Sequence, residues 1–177
     1  MSSLTQELMA EVIAACTTEV VSTMLGMEAA PQPPAPEGSI PTPNDSVIAL
    51  VGIAGDWSGT GTLSCSADLA CKLSGGLLST EFTAIDDEVL DAVGEIANMV
   101  IGNIKNRLEG VAGPLALSIP TVIYGRNFVT RSMSKRQSVL VPFAIDLAML
   151  QVHLCIEPSD SRVRLARAVD RLATCRR

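Results

Sequence analysis

Asp91, Glu95 and Asn98 stand at positions i, i+4 and i+7 of one segment. In a helix, at about 100° per residue, they fall within about 60° of arc on consecutive turns. None of the three is a nucleophile here. The asparagine amide can accept a hydrogen bond through its carbonyl and donate through its NH2 at once. An Asp/Glu pair at this spacing is by itself an ordinary solvated face. Asn98 is a mediocre helix former, however, and Gly102 on the same face costs about 1 kcal/mol relative to alanine. No Ser-His-Asp or Cys-His arrangement competes: His153 is the only histidine, and no sequence cue couples it to a nucleophile.

The element that must carry these residues spans 86–108. Val89, Leu90, Val93, Ile96, Ala97, Val100, Ile101, Ile104 and Leu108 follow the 3-and-4 spacing of a buried helical stripe. Asp86 or Asp87 can cap its start and meet the positive end of the helix dipole. Lys105 and Arg107 fall in the expected last turn, with Gly110 as the stop.

Counting on from Asn98, Pro120 completes the pattern Asp-x3-Glu-x2-Asn-x21-Pro. This resembles the signature of the CheC/CheX/FliY family of chemotaxis phosphatases. The stretches GEIANMVIGN (94–103), LSIPTVIYG (117–125) and VGIAGDWSGTGTLS (51–64) are also similar to CheX-type sequence. The resemblance extends over 46–156, with a weaker match over 1–28. Two-site relatives repeat Glu-x2-Asn on a second helix; here the matching offsets hold Ser3, Glu7 and Ala10, with alanine for asparagine. One complete motif favours the CheX branch. The resemblance implies dephosphorylation of a CheY-type receiver, which carries its aspartyl phosphate beside its own Mg²⁺, so that this chain needs no cofactor or metal of its own. It assigns to Asn98 the insertion that holds a water in line with the phosphorus, a positioning task, and to Glu95 a pairing with a receiver lysine. Asp91 would contact the partner or shape the interface, and Gly102 would let the partner approach closely. A homodimer formed by extending the sheet across two subunits is implied as well. The rival readings are a receiver-binding module without catalysis and a scaffold in a signalling complex; the intact Glu95/Asn98 pair favours the enzyme.

Composition fits that reading. The 177 residues suggest one domain with a sizeable core. Residues 1–160 hold 18 acidic and 7 basic side chains, whereas 161–177 hold six arginines and one acid, Asp170. An acidic body argues against nucleic acid, which is bound by clustered cations. No run of 18 apolar residues occurs, and Glu7, Glu11 and Glu19 interrupt the N-terminal segment, so neither a membrane span nor a signal peptide is expected. Cys16, Cys65, Cys71, Cys155 and Cys175 are odd in number and form no C-x-x-C pair. Reduced thiols in a cytoplasmic protein are the expectation, with no zinc site.

The expected fold is α+β: a single mixed or antiparallel sheet of about five or six strands, with the long helix and an N-terminal helix packed on it. The phosphatase domain covers 1–157, including a Pro-rich connector at 29–43; a basic extension follows at 158–177. Residues 4–25 read as a helix capped by Ser3 with Gln6, its stripe running Leu8, Val12, Cys16, Val20, Met24, and Gly26 ending it. Six prolines in 29–43 describe an extended linker. Residues 46–54 and 59–65 make a hairpin about a turn at 55–58. A short helix capped by Ser66 should stop at Gly75-Gly76. Strands follow at 115–119, 122–124, 139–145 and 147–157, with Pro142 marking an edge or bulge. An open apolar edge there would invite pairing with a second chain.

Overall fold

Residues 4–39, 43–127 and 137–159 are described by the computed structural model. Helix α1 (Gln6–Leu25) is followed by a two-residue strand β1 (Ala30–Pro31), strands β2 (Asp45–Gly55) and β3 (Trp57–Ser66), and helices α2 (Ala67–Leu78) and α3 (Asp87–Ala112). Strands β4 (Leu115–Leu117), β5 (Thr121–Arg126), β6 (Gln137–Ile145) and β7 (Ala148–Pro158) complete the chain's seven-stranded sheet. Its order is β1-β6-β7-β3-β2-β4, with β5 beside β4 on the same side of β2, and every pairing is antiparallel. The α+β expectation holds. The extra strand is β1, two residues long and too short to leave a period-2 signal; β4 is the strand expected at 115–119, shortened to three residues.

Alternation fixes which sheet face is dry. Val47, Ala49, Val51 and Ile53 of β2, Leu63 and Cys65 of β3, and Leu150, Val152, Leu154 and Ile156 of β7 join one buried cluster with the inner rows of all three helices. Helix α3 approaches β3 closely at Gly61. A methyl group on Gly61 would come within 2.6 Å of Ile101 Cδ1, and Ile101 is itself fully buried.

Several local expectations change. The cap of α1 is Thr5, whose Oγ1 accepts from Leu8 N at 3.2 Å; Ser3 lies outside the described residues. Its buried row is Met9, Ile13, Cys16, Thr17, Val20, Val21 and Leu25, while Met24 is half exposed. The helix is apolar on more than one side, so spacing alone does not select the row that meets α3 and β6. By length and composition α1 could cross a membrane; here that apolar surface packs on α3 and the sheet.

Helix α2 runs through Gly75-Gly76 and ends at Ser79, φ 52°. Those glycines serve close approach: a methyl at Gly76 would lie 2.7 Å from Leu25 O, and one at Gly75 2.8 Å from Thr80 O. Helix α3 likewise passes Gly110 and ends at Gly113, φ 81°. Lys105 and Arg107 are therefore interior residues of the helix. Lys105 pairs with Glu109 at 2.9 Å, and Arg107 with Glu19 of α1 at 2.6 Å.

The Pro-rich connector is not a free linker. Ala30–Pro31 pairs with Phe143–Ala144 of β6, Gln32 N donates to Pro142 O at 2.8 Å, and Ala35 N donates to Leu140 O at 3.0 Å. It straps the edge of β6 that was expected to be open. Pro142 lacks its N–H on the side facing this strap, since N–H and C=O of an antiparallel residue point the same way. Residues 160–177, the arginine-rich part of the extension, lie outside the described residues.

Candidate functional site

Asp86 Oδ1 accepts from Val89 N at 2.8 Å and sets the first turn of α3. The expected stripe is buried from Val89 to Leu108, with Leu90 half-buried. That leaves Asp91, Glu95 and Asn98 exposed together on the solvent side, with Gly102 half-buried beside them. Among the described residues, none of these three side chains has a hydrogen bond or ion pair. The cations of α3 are committed elsewhere, to Glu109 and Glu19.

A second element completes the face. Glu109 accepts from Leu115 N at 2.9 Å, which fixes the start of β4 against the end of α3. Lys105 beside it and that backbone N–H hold the Glu109 carboxyl below the usual carboxylate range. Strand β4 then pairs with Ile53–Gly55 and β5 with Asp45–Leu50, so the chain must step off the β2 ladder at 118–120. Ser118 makes that step rigid. Its N donates to Gly52 O at 2.9 Å, its Oγ accepts from Gly52 N at 2.8 Å, and the same Oγ donates to Ile119 O at 2.9 Å.

This stretch runs back along α3. A methyl at Gly102 would meet Leu117 Cδ1 at 4.0 Å, whereas one at Gly94 would meet Val122 Cγ2 at 3.3 Å and Pro120 Cβ at 3.8 Å. Gly94, Asn98 and Gly102 are each one turn apart. The strip of α3 nearest 117–122 therefore carries glycines on either side of a single polar side chain, the amide of Asn98. Asp87, Leu90, Asp91, Gly94, Glu95, Pro120 and Val122 line an open cleft of about 670 Å³ beside it.

All four residues singled out from sequence, Asp91, Glu95, Asn98 and Gly102, thus share one surface, and Pro120 forms its far wall. Gly94 was missed as a site residue. The signal was present, a glycine one turn before the asparagine, but the need for it comes from Val122, 28 positions away. Gly102 has a different standing, because the chain's own packing leaves room for a methyl there. Gly102→Ala should raise the melting temperature, by up to about 1 kcal/mol of helix propensity, while lowering activity if a partner must approach that strip. Thermal melts with parallel phosphate-release assays check both signs.

Other chemistry is poorly placed. Burial pushes the Cys16, Cys65 and Cys71 thiols up, Cys65 to about 12, so none is a ready thiolate. The structure does bring a serine to the lone histidine: Ser138 Oγ lies 2.6 Å from His153 Nε2, a coupling with no sequence cue. The pair crosses between β6 and β7 on the sheet face away from α3, and burial lowers the His153 pKa, against the opposing influence of Glu37. Among the described residues no three His, Cys, Asp or Glu side chains gather as a metal site.

Comparison with known proteins identifies the family and the fold. The family model described as chemotaxis phosphatase CheX matches residues 47–144. The CheY-P phosphatase CheX of Thermotoga maritima is 29% identical over 115 residues, covering 64% of this chain and 74% of that protein. The chain is similar to the crystal structure of chemotaxis protein CheX from Vibrio vulnificus, with TM-score 0.74 and 25% identity over 88% of this chain and 100% of that one. The CheX subunit of a CheX–CheY–BeF3–Mg²⁺ complex from Borrelia burgdorferi shares the fold, with TM-score 0.72 and 24% identity over 83% and 96%.

Proposed function

Because the chain belongs to the chemotaxis phosphatase CheX family, we propose that it dephosphorylates a CheY-type response regulator with Asn98 as its water-positioning residue. The curated Thermotoga relative is a CheY-P phosphatase, which supports the substrate class. The observation that carries the site assignment is the uncommitted Asn98 amide, set between Gly94 and Gly102 on an exposed helical strip.

Water attacks the phosphorus of the receiver's aspartyl phosphate. The bond from phosphorus to the carboxylate oxygen breaks, and inorganic phosphate and a free aspartate are the products. The receiver supplies Mg²⁺, which stabilises charge on the phosphoryl oxygens; the phosphatase brings no metal. Its contribution is geometric. The Asn98 carbonyl accepts from the water and aligns it, and the Asn98 NH2 donates to the receiver side. Glu95, one helical step away, pairs with a receiver lysine and fixes the angle of approach. Asp91 extends the acidic surface. A cytoplasmic setting goes with this substrate.

Timing phosphate loss from several phosphorylated receivers, with and without the protein, tests the reading. At least one receiver should lose phosphate faster. Binding without acceleration would make the protein a receiver-binding module instead.

The proposed assembly is a dimer, but not through β6, whose outer side is strapped by the connector. Among the described residues β4 and β5 pair only with β2, which leaves the outer edge of this margin unpaired; on β5 Ile123 and Tyr124 are 44% and 43% exposed. Pairing two β5 edges about a two-fold axis extends the sheet. Sedimentation at micromolar concentration should give twice the 18.6 kDa chain mass, and Ile123→Lys should shift it to monomer. A monomeric wild-type protein would remove the assembly without touching the chemistry, since Glu95 and Asn98 lie on one helix.

A further inference from the structure

Ile119 is 87% exposed, on a stretch where every neighbouring atom is held. Leu115 and Leu117 on one side and Val122 on the other pack toward α3 or the core. Ser118 spends its amide and its hydroxyl on Gly52 and the Ile119 carbonyl, as described above. Pro120 then fixes φ on the other side. The isoleucine is thus presented on a braced corner, not on a loose loop. Isoleucine is among the residues most often buried, and a β-branched side chain keeps few rotamers to lose on contact.

Its place matters as much as its exposure. Leu117 lies by Gly102 and Pro120 by Gly94, so Ile119 lies beside the intervening turns of α3, where Asn98 and Glu95 project. On the cleft walled by the adjacent Pro120, Asp87, Asp91 and Glu95 stand at successive i+4 positions without an ion pair among the described residues. Like charges at that spacing disfavour the helix slightly. The surface therefore combines one rigid apolar knob with a row of uncompensated carboxylates, and it fits a partner whose face carries lysine or arginine around an apolar recess.

We propose that Ile119 is the apolar docking residue for the phosphorylated receiver, seating in such a recess and setting affinity while Asn98 performs the chemistry. The inference rests on the phosphatase reading and adds a specificity determinant to it.

The test is steady-state kinetics on the receiver that the wild-type protein dephosphorylates fastest, with Ile119→Ser and Ile119→Leu. Loss of one buried aliphatic contact should raise KM for Ile119→Ser on the order of tenfold to a hundredfold. Its kcat should stay within about twofold, and Ile119→Leu should restore most of the affinity. An exposed position should leave the melting temperature unchanged in both variants. An unchanged KM in Ile119→Ser, or a fall in kcat at unchanged KM, would overturn the proposal while leaving the phosphatase reading intact. A wild-type protein that accelerates phosphate loss from no receiver would instead remove the phosphatase reading, and this inference with it.

Discussion

Asn98→Ala should lower turnover of the phosphorylated receiver on the order of a hundredfold, toward the receiver's own spontaneous rate, while the protein melts no earlier than wild type. Misplacing a reacting group by about 1 Å can cost a factor of this size, and removing the amide leaves the water with no fixed partner. Stability should not fall, because Asn98 is exposed and makes no hydrogen bond among the described residues. Alanine is also the better helix former. KM should change little, since Asn98 is one small contact in a surface that includes Glu95 and Pro120. A residue whose removal steadies the fold and destroys the activity is one kept for function. Kinetics with a phosphorylated receiver, paired with thermal melts, measure all three quantities. Wild-type turnover in Asn98→Ala would end its assignment as the water-positioning residue.

Glu95→Ala should act on the other parameter. Glu95 is exposed and has no ion pair among the described residues, so its carboxylate is available to a partner. Truncating one side of a charge pair that becomes desolvated in a complex costs about 2–5 kcal/mol, which corresponds to at least a tenfold rise in KM for the receiver. The melting temperature should hold, because no internal contact is lost. Glu95→Lys should be worse than Glu95→Ala, because it sets like charges face to face. Added salt should weaken the wild-type complex more than that of Glu95→Ala. A large loss of thermal stability in Glu95→Ala would make the residue structural instead.

How much of this was legible depended on where the physical cause lies along the chain. The start of α3 and its buried stripe were readable because capping and 3.6-residue periodicity are local. So were the inner rows of β2 and β7, where alternation reports a single dry face. The motif surface was legible for the same reason: Asp91, Glu95, Asn98 and Gly102 share one helix, and spacing alone aligns them. What stayed hidden was set by distant partners. Gly75-Gly76 reads as a helix stop, but the backbone of Leu25 beside Gly76, and that of Thr80 beside Gly75, make those glycines an interior requirement. Gly110 looks like a terminus, yet a methyl group there would meet nothing within 4 Å, and the chain turns at Gly113, packed against the Asp56 side chain. The connector shows no strand period because its hydrogen bonds go to residues more than 100 positions later, Leu140 and Pro142. Ile119 looked like part of a strand until the step between β4 and β5 turned it outward.

The strap along β6 bears on the stoichiometry of assembly. A sheet with two free margins can add copies at both, and the product is then an open-ended polymer. Here one margin is taken by the chain's own Pro-rich connector, at Ala30–Pro31 and at Ala35, and that segment offers few N–H donors to a newcomer. Growth along the sheet is therefore possible in one direction only. Two copies meeting through the β4–β5 margin of each leave, among the described residues, no further open margin, so such a pairing ends at two.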